Sequence, residues 1–246
     1  MVHVDEADLA SLLASGIELE WIEPHLYAVS TNTEIDSSYD KRFGDLYERV
    51  ACNPIYNRLL WGYTTAKFAS LADDALRSSK AGWVLDLGCG SLAFTARSYI
   101  RFAQRPVVLL DQSLKLLRRA KAKLTDLNGT MPAHMVFVLG DALQLPFKPR
   151  SFQTIISLNL LHVIGDIRAV LAGLKHVLAS DGRLYMTTLV KSGRLADRYL
   201  ALWEKAGEVV ARDKAQLAQA FQDLQMRIAL DVNGSMAFVR YDGNAR

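Results

Sequence analysis

Three aspartates stand where short apolar runs end, and each leads into residues suited to holding a ligand. Asp86 lies in Trp83-Val84-Leu85-Asp86-Leu87 and leads into Gly88-Cys89-Gly90-Ser91-Leu92. Asp111 follows Val107-Val108-Leu109-Leu110 and precedes Gln112-Ser113. Asp141 sits in Gly140-Asp141-Ala142, shortly before Leu145-Pro146-Phe147. A glycine-rich turn between a strand and a helix lets a ligand approach bare backbone and points amide N–H groups at it. The pattern Gly88-x-Gly90-x-x-Ala93 is a variant of the dinucleotide fingerprint.

The carboxylate two residues ahead of the first glycine alters what that turn prefers. It suits a cation or an ammonium group and repels a pyrophosphate. Asp86, with Gly88, Cys89 and Gly90, therefore favours a ligand carrying an amino group, such as S-adenosylmethionine, over NAD; the plainer reading is a tight turn capped by Asp86. Asp111 comes 111 − 90 = 21 residues after Gly90. That spacing suits a carboxylate accepting both hydroxyls of a ribose. Gln112 lies beside it, and Ser113 is placed to cap the next helix. Asp141, with Ala142, could read the hydrogen-bonding edge of an adenine, with Leu143 and Phe147 as apolar walls, or could form an ordinary surface turn.

A fourth apolar run, Thr154-Ile155-Ile156-Ser157-Leu158, leads to Asn159 and His162. Asn159 could hydrogen-bond near the reactive end of the ligand. His162 is the candidate general base, its ordinary pKa suiting proton transfer at neutral pH, or else a buried histidine that shapes the pocket. The two cysteines, Cys52 and Cys89, have no metal-ligand spacing, and no metal site is expected.

The elements that must carry these residues follow from periodicity. From residue 81 onward strands and helices alternate. The expected strands are 83–87, 107–111, 135–139, 154–158, 183–190, 225–231 and 235–241. The expected helices are 91–104, 113–127, 166–179 and 193–222, the last broken near Asp213. The first four strands are continuous apolar runs, as in a parallel sheet covered on both faces. Asn233-Gly234 signals a hairpin between the last two. The fold class is thus α/β: a doubly wound, seven-stranded, mostly parallel sheet closing in a C-terminal antiparallel hairpin, with an N-terminal helical extension. Residues 1–80 read as a mainly helical cap or lid and 81–246 as the core. Within the cap, Asp8–Ser15, Lys41–Ala51 and Ile55–Leu76 have helical spacing, and Glu18–Val29 could form a hairpin broken at Pro24.

Together these stretches resemble the class I S-adenosylmethionine-dependent methyltransferases, in the branch that includes quinone-biosynthesis and related small-molecule enzymes. The resemblance runs through Val84–Gly90, Leu110–Ser113, Gly140–Ala142 with Leu145–Phe147, Ser151-Phe152 to His162-Val163, and Val177-Leu178 to Gly182–Leu184. Gln153 departs from the Asp that the family often has after the Phe. The resemblance implies S-adenosyl-L-methionine as cofactor and N-terminal helices that fold over it. Tyr39, in Ser38-Tyr39-Asp40, looks like the family's segment that covers the cofactor. Tyr56 and Trp61 could line the acceptor pocket or simply pack on the sheet.

Composition fits a globular intracellular enzyme. Half of the 246 residues are apolar, 22% are charged, and the net charge is only +3. No apolar run is long enough for a membrane span, and a cytoplasmic protein is expected, a homodimer being possible. Nucleobase amino methylation would want an Asn/Asp-Pro-Pro-aromatic turn where Ser157-Leu158-Asn159-Leu160 stands. Thiol-assisted base methylation would want a cysteine in the acceptor pocket, for which neither Cys52 nor Cys89 is placed, and arsenic methylation would want several cysteines. A small organic acceptor is expected, methylated by in-line displacement. The alternatives are an RNA or protein methyltransferase, using Lys115, Arg118, Arg119, Lys121 and Lys123 as a basic face, and a non-catalytic cofactor-binding scaffold subunit.

Overall fold

The computed structural model describes residues 4–30, 53–77 and 81–243. Its strands are β1 (Leu19–Glu23), β2 (Leu26–Val29), β3 (Trp83–Leu87), β4 (Val107–Asp111), β5 (Met135–Leu139), β6 (Phe152–Leu158), β7 (Leu178–Leu189), β8 (Ile228–Asn233) and β9 (Met236–Asp242). Its helices are α1 (Glu6–Leu12), α2 (Ala66–Arg77), α3 (Ala96–Phe102), α4 (Leu114–Asn128), α5 (Ile167–Val177), α6 (Ala196–Lys205) and α7 (Lys214–Asp223). A short helical segment, Pro54–Tyr56, widens into a π-turn at Asn57–Trp61.

The sheet runs β1-β2-β5-β4-β3-β6-β7-β9-β8. The seven expected strands are all present, parallel except where β9 pairs antiparallel with β7 and β8. Two strands are additional. The Glu18–Val29 segment forms a hairpin whose second strand lies parallel to β5, Leu26 opposite Phe137. It turns at Pro24-His25, with His25 in the left-handed region at φ 65°. Among the described residues the sheet therefore has nine strands rather than seven, and this part of the N-terminal segment extends the sheet.

Alternation along the strands divides the apolar residues between two cores. Leu85, Leu87, Val108, Val136 and Ile155 face α1, α5 and α7. Val84, Val107, Leu109, Phe137 and Ile156 face α2, α3 and α4. Asp86 shares the second face, and this directs its carboxylate at α3. Helix starts are capped by side chains: Ser113 accepts from Leu116 N at 3.2 Å, and Asp166 from Ala169 N at 3.0 Å.

Some expected elements are shorter. The helix expected over 91–104 begins only at Ala96, because residues 91–95 turn to line the cleft described below. The helix over 193–222 is two, α6 and α7, the second starting at a capping box of Asp213 with Gln216. The Ile55–Leu76 helix breaks at Gly62, whose φ is 72°. Gln153, the departure from the family pattern, donates to the Asp181 carboxylate at 2.9 Å and so links β6 to β7 where their register shifts.

The β8–β9 turn reaches across to this break. Ser235 N donates to Trp61 O at 2.8 Å. Gly234 has φ 62°, and a Cβ there would lie 2.2 Å from Trp61 O. Only glycine allows that approach. Gly234→Ala is expected to destabilise the chain by about 1–3 kcal/mol, measured by urea unfolding; Asn233→Ala, which creates no such clash, should cost less.

Candidate functional site

A cleft opens at the carboxyl ends of β3, β4, β5 and β6, the position doubly wound sheets use for ligands. It is lined by Asp86, Gly88, Cys89 and Gly90 from the first turn, Asp111 and Gln112 from the second, Asp141 and Ala142 from the third, and Asn159 from the fourth. The structure thus gathers around one opening all nine of these residues, each expected there from the sequence. Residues 91–95, Leu110, Leu116, Gly140, Leu158, Leu160, Val163 and Ile164 complete the lining. Spacing alone did not mark these apolar positions.

The floor is built by backbone. Gly88 N and Cys89 N both donate to Leu110 O, at 2.8 and 3.1 Å. Gly90 N donates to Asp111 Oδ2 at 2.8 Å, and Ser113 N to Asp111 Oδ1 at 2.9 Å. This corrects one expectation. The amides of the glycine turn do not point at a ligand; they clasp the end of β4. The glycines matter for space instead. Gly88, at φ 71°, has Leu160 Cδ1 3.0 Å from where a Cβ would be, and Gly90, at φ 53°, faces open space. From outside, Lys123 Nζ on α4 donates to Ser91 O at 3.0 Å and steadies the same turn.

The carboxylates differ in environment. Asp86 is buried and accepts from Tyr99 Oη at 2.7 Å. Burial pushes its pKa up to about 7; the tyrosine bond opposes that shift, and the negative Asp111 adds to it. Burial, with the two carboxylates, raises the Cys89 thiol well above its ordinary range, so it stays protonated. Asp141 forms an Asx turn, its Oδ1 accepting from Leu143 N at 2.9 Å. Asn159 takes a left-handed φ of 60°. Its amide donates to Thr187 O at 2.9 Å, and its Oδ1 accepts from Thr187 Oγ1 at 3.2 Å. The expected apolar walls at Leu143 and Phe147 are elsewhere: Leu143 is exposed, and Phe147 is buried against Phe152.

His162 lies outside this lining. Its ring is buried, with Nδ1 3.5 Å from both Thr188 Oγ1 and Leu189 N. Burial, and then the nearby Arg212 charge, push its pKa down to about 4. Such an imidazole is neutral at pH 7 and a weak proton acceptor, set back from the cleft. Tyr56 and Trp61 also lie outside the lining. Trp61 is buried 5.9 Å from the Tyr199 ring, and Tyr56 bonds to Tyr199, its hydroxyl pKa raised chiefly by burial. Tyr39 falls outside the described residues.

Arg212 is a residue the sequence reading missed. Its guanidinium donates to Leu161 O at 3.0 Å, Ile164 O at 2.9 Å and Gly165 O at 2.6 Å. It thereby fixes the loop that carries Leu160, Val163 and Ile164 into the cleft. No local motif announces this, because its partners are backbone carbonyls about 50 residues away in the chain.

A family profile described as a methyltransferase domain matches residues 78–231. The chain belongs to this methyltransferase family. A demethylmenaquinone methyltransferase of Thermotoga maritima is 30% identical over 166 residues, 64% of this chain and 69% of the relative. A malonyl-[acyl-carrier protein] O-methyltransferase of Hamiltonella defensa is 30% identical over 129 residues, 52% of this chain but only 45% of that relative. The chain therefore matches less than half the length of that methyltransferase. Among solved structures, the magnesium protoporphyrin IX methyltransferase of Synechocystis, with bound S-adenosylhomocysteine, superposes with a TM-score of 0.62 at 18% identity, covering 83% of this chain and 95% of the other. At that identity the likeness concerns the fold. No helix among the described residues is long and apolar enough to cross a membrane.

The site fits a cationic cofactor: two buried carboxylates face a cleft with open space at Gly90. Two outcomes follow. Asp86 with a raised pKa holds a proton that the unfolded chain releases above about pH 4. Its contribution to stability therefore falls as pH rises from about 4 to about 7. A cation bound beside it favours the ionised form, so S-adenosylmethionine binding near pH 6 should release a proton. Calorimetry in buffers of different ionisation enthalpy should detect this release, and Asp86→Asn should abolish it. Separately, Arg212→Ala should cost about 2–4 kcal/mol in denaturant unfolding, since four carbonyls, Val210 O included, lose a charged donor, with Arg212→Lys recovering part.

Proposed function

We propose that the chain transfers the methyl group of S-adenosyl-L-methionine to a small organic acceptor by in-line displacement, and that the cleft at the ends of β3–β6 is where the cofactor lies. The observation that carries this reading is the set of three aspartates, Asp86, Asp111 and Asp141, ending three adjacent strands around one opening. Their order matches an ammonium group, a ribose and an adenine. Asp86 offers a buried negative charge to the ammonium. Asp111 already accepts one backbone N–H on each oxygen, and each oxygen keeps lone pairs for a ribose hydroxyl. Asp141 and the Ala142 backbone suit the adenine edge, with Leu116 and Ile164 as apolar neighbours.

When bound, the cofactor supplies a methyl group already activated on a sulfonium. The protein's task is then to align the acceptor and exclude water. Asn159, held in its left-handed conformation by Thr187, orients the opening on the side of the reactive end. His162 is assigned to shaping the β6–β7 junction, consistent with a reaction that depends on alignment more than on a base. The demethylmenaquinone and malonyl-[acyl-carrier protein] relatives differ in acceptor, so the acceptor stays at the level of a small organic group or one carried as a thioester.

The basic run on α4 is engaged within the molecule, which favours this reading over RNA. Arg118 Nε and Lys121 Nζ pair with Glu23 of β1 at 3.2 and 3.0 Å, and Lys123 holds Ser91. The test is methyl transfer from labelled S-adenosylmethionine into fractionated metabolite extracts. Label should enter small molecules and not RNA. Asp111→Ala should weaken cofactor binding by about 1–3 kcal/mol; unchanged affinity would sink the ribose assignment.

A further inference from the structure

The most exposed aliphatic side chains in the described structure are gathered on two segments that touch each other. Ile55 is 69% and Leu59 80% exposed on the Pro54–Trp61 segment, four residues apart and so on one side. Leu195 is 80% and Leu202 61% exposed at the start and along the outer side of α6. The segments are joined by the Tyr56–Tyr199 bond, the Trp61–Tyr199 edge contact, and the Arg194 guanidinium lying on Gly62. Tyr199 and Trp203, 5.7 Å apart, stand half-buried between them.

Charge on these segments is sorted. The acids of α6 are engaged within the chain: the Asp197 carboxylate accepts from Ser192 N and Gly193 N, and Glu204, though exposed, accepts from Ala211 N and lies 3.8 Å from Lys191. Arg58, Arg194 and Arg198 are exposed, and none has an ion-pair partner among the described residues. Glu208 is exposed beyond the end of α6.

We propose that this face docks on an anionic lipid surface. Leucines that are 80% exposed stand clear of the protein as convex tips rather than lining a groove, so they suit insertion into a soft interface better than a rigid partner's helix. Unpaired arginines between them complement negative headgroups, and the Tyr199 and Trp203 rings suit the boundary between headgroup and chain. Docking of this kind requires no membrane-spanning segment.

Flotation of the 246-residue chain with vesicles of equal parts phosphatidylglycerol and phosphatidylcholine tests this. Neither cofactor nor acceptor is present, so the result does not depend on methyl transfer. The chain should float with the mixed vesicles, less with phosphatidylcholine alone, and less as salt rises. Arg58→Gln and Arg198→Gln should each weaken partition about five-fold, and Leu195→Gln with Leu202→Gln should abolish it, all with unchanged melting temperature. No flotation at low salt, equal flotation with both vesicle types, or flotation that these variants leave intact would overturn the proposal. So would self-association without flotation that the leucine variants abolish, which would give the face to a second copy of the chain.

Discussion

The Asp111 carboxylate holds two strand ends in one geometry. One oxygen takes the amide of Gly90 and the other the amide of Ser113. The first bond ties the turn after β3 to the end of β4, and the second starts α4. A carboxylate that accepts two backbone N–H bonds in a buried place is rigid, since swinging it away would leave both amides unpaired. Leu110 O completes the clasp by accepting from Gly88 and Cys89. With those groups bound to one another, the opening is shaped before any ligand arrives. What faces the ligand is side-chain charge and bare space.

Around this clasp the opening is braced from several directions. Lys123 holds Ser91 from α4, Tyr99 holds Asp86 from α3, and Arg212 holds the loop after β6 from the connection between α6 and α7. Each brace comes from a helix or connection on the flank of the sheet. The helices therefore do more than cover apolar strands: they fix the turns at the strand ends. The carboxylates gathered at those turns suit a cationic ligand such as the proposed methyl donor.

Much of this was readable in the residues. Apolar runs of four or five residues marked β3 to β6, and Asn233-Gly234 marked the last hairpin, because burial on two faces and a tight turn each leave a local imprint. The aspartates at the strand ends were readable for the same reason. What escaped depends on distant contacts. Nothing in Leu26–Val29 says that it will pair with β5, and nothing around Arg212 says which carbonyls it will reach. The glycine-turn amides were misjudged because their acceptors, Leu110 O and the Asp111 carboxylate, lie on another strand. The setting of His162 was not readable either, because its ring packs on β7 and its lowered basicity comes from burial and partly from Arg212.

Calorimetric titration of S-adenosyl-L-methionine into the purified chain puts the clasp and its carboxylates to the most direct trial. A single saturable site per chain, weakened when Asp111 is replaced by Asn although the fold is retained, is the result this reading of the cleft requires. The absence of binding, or binding indifferent to that substitution, would contradict it.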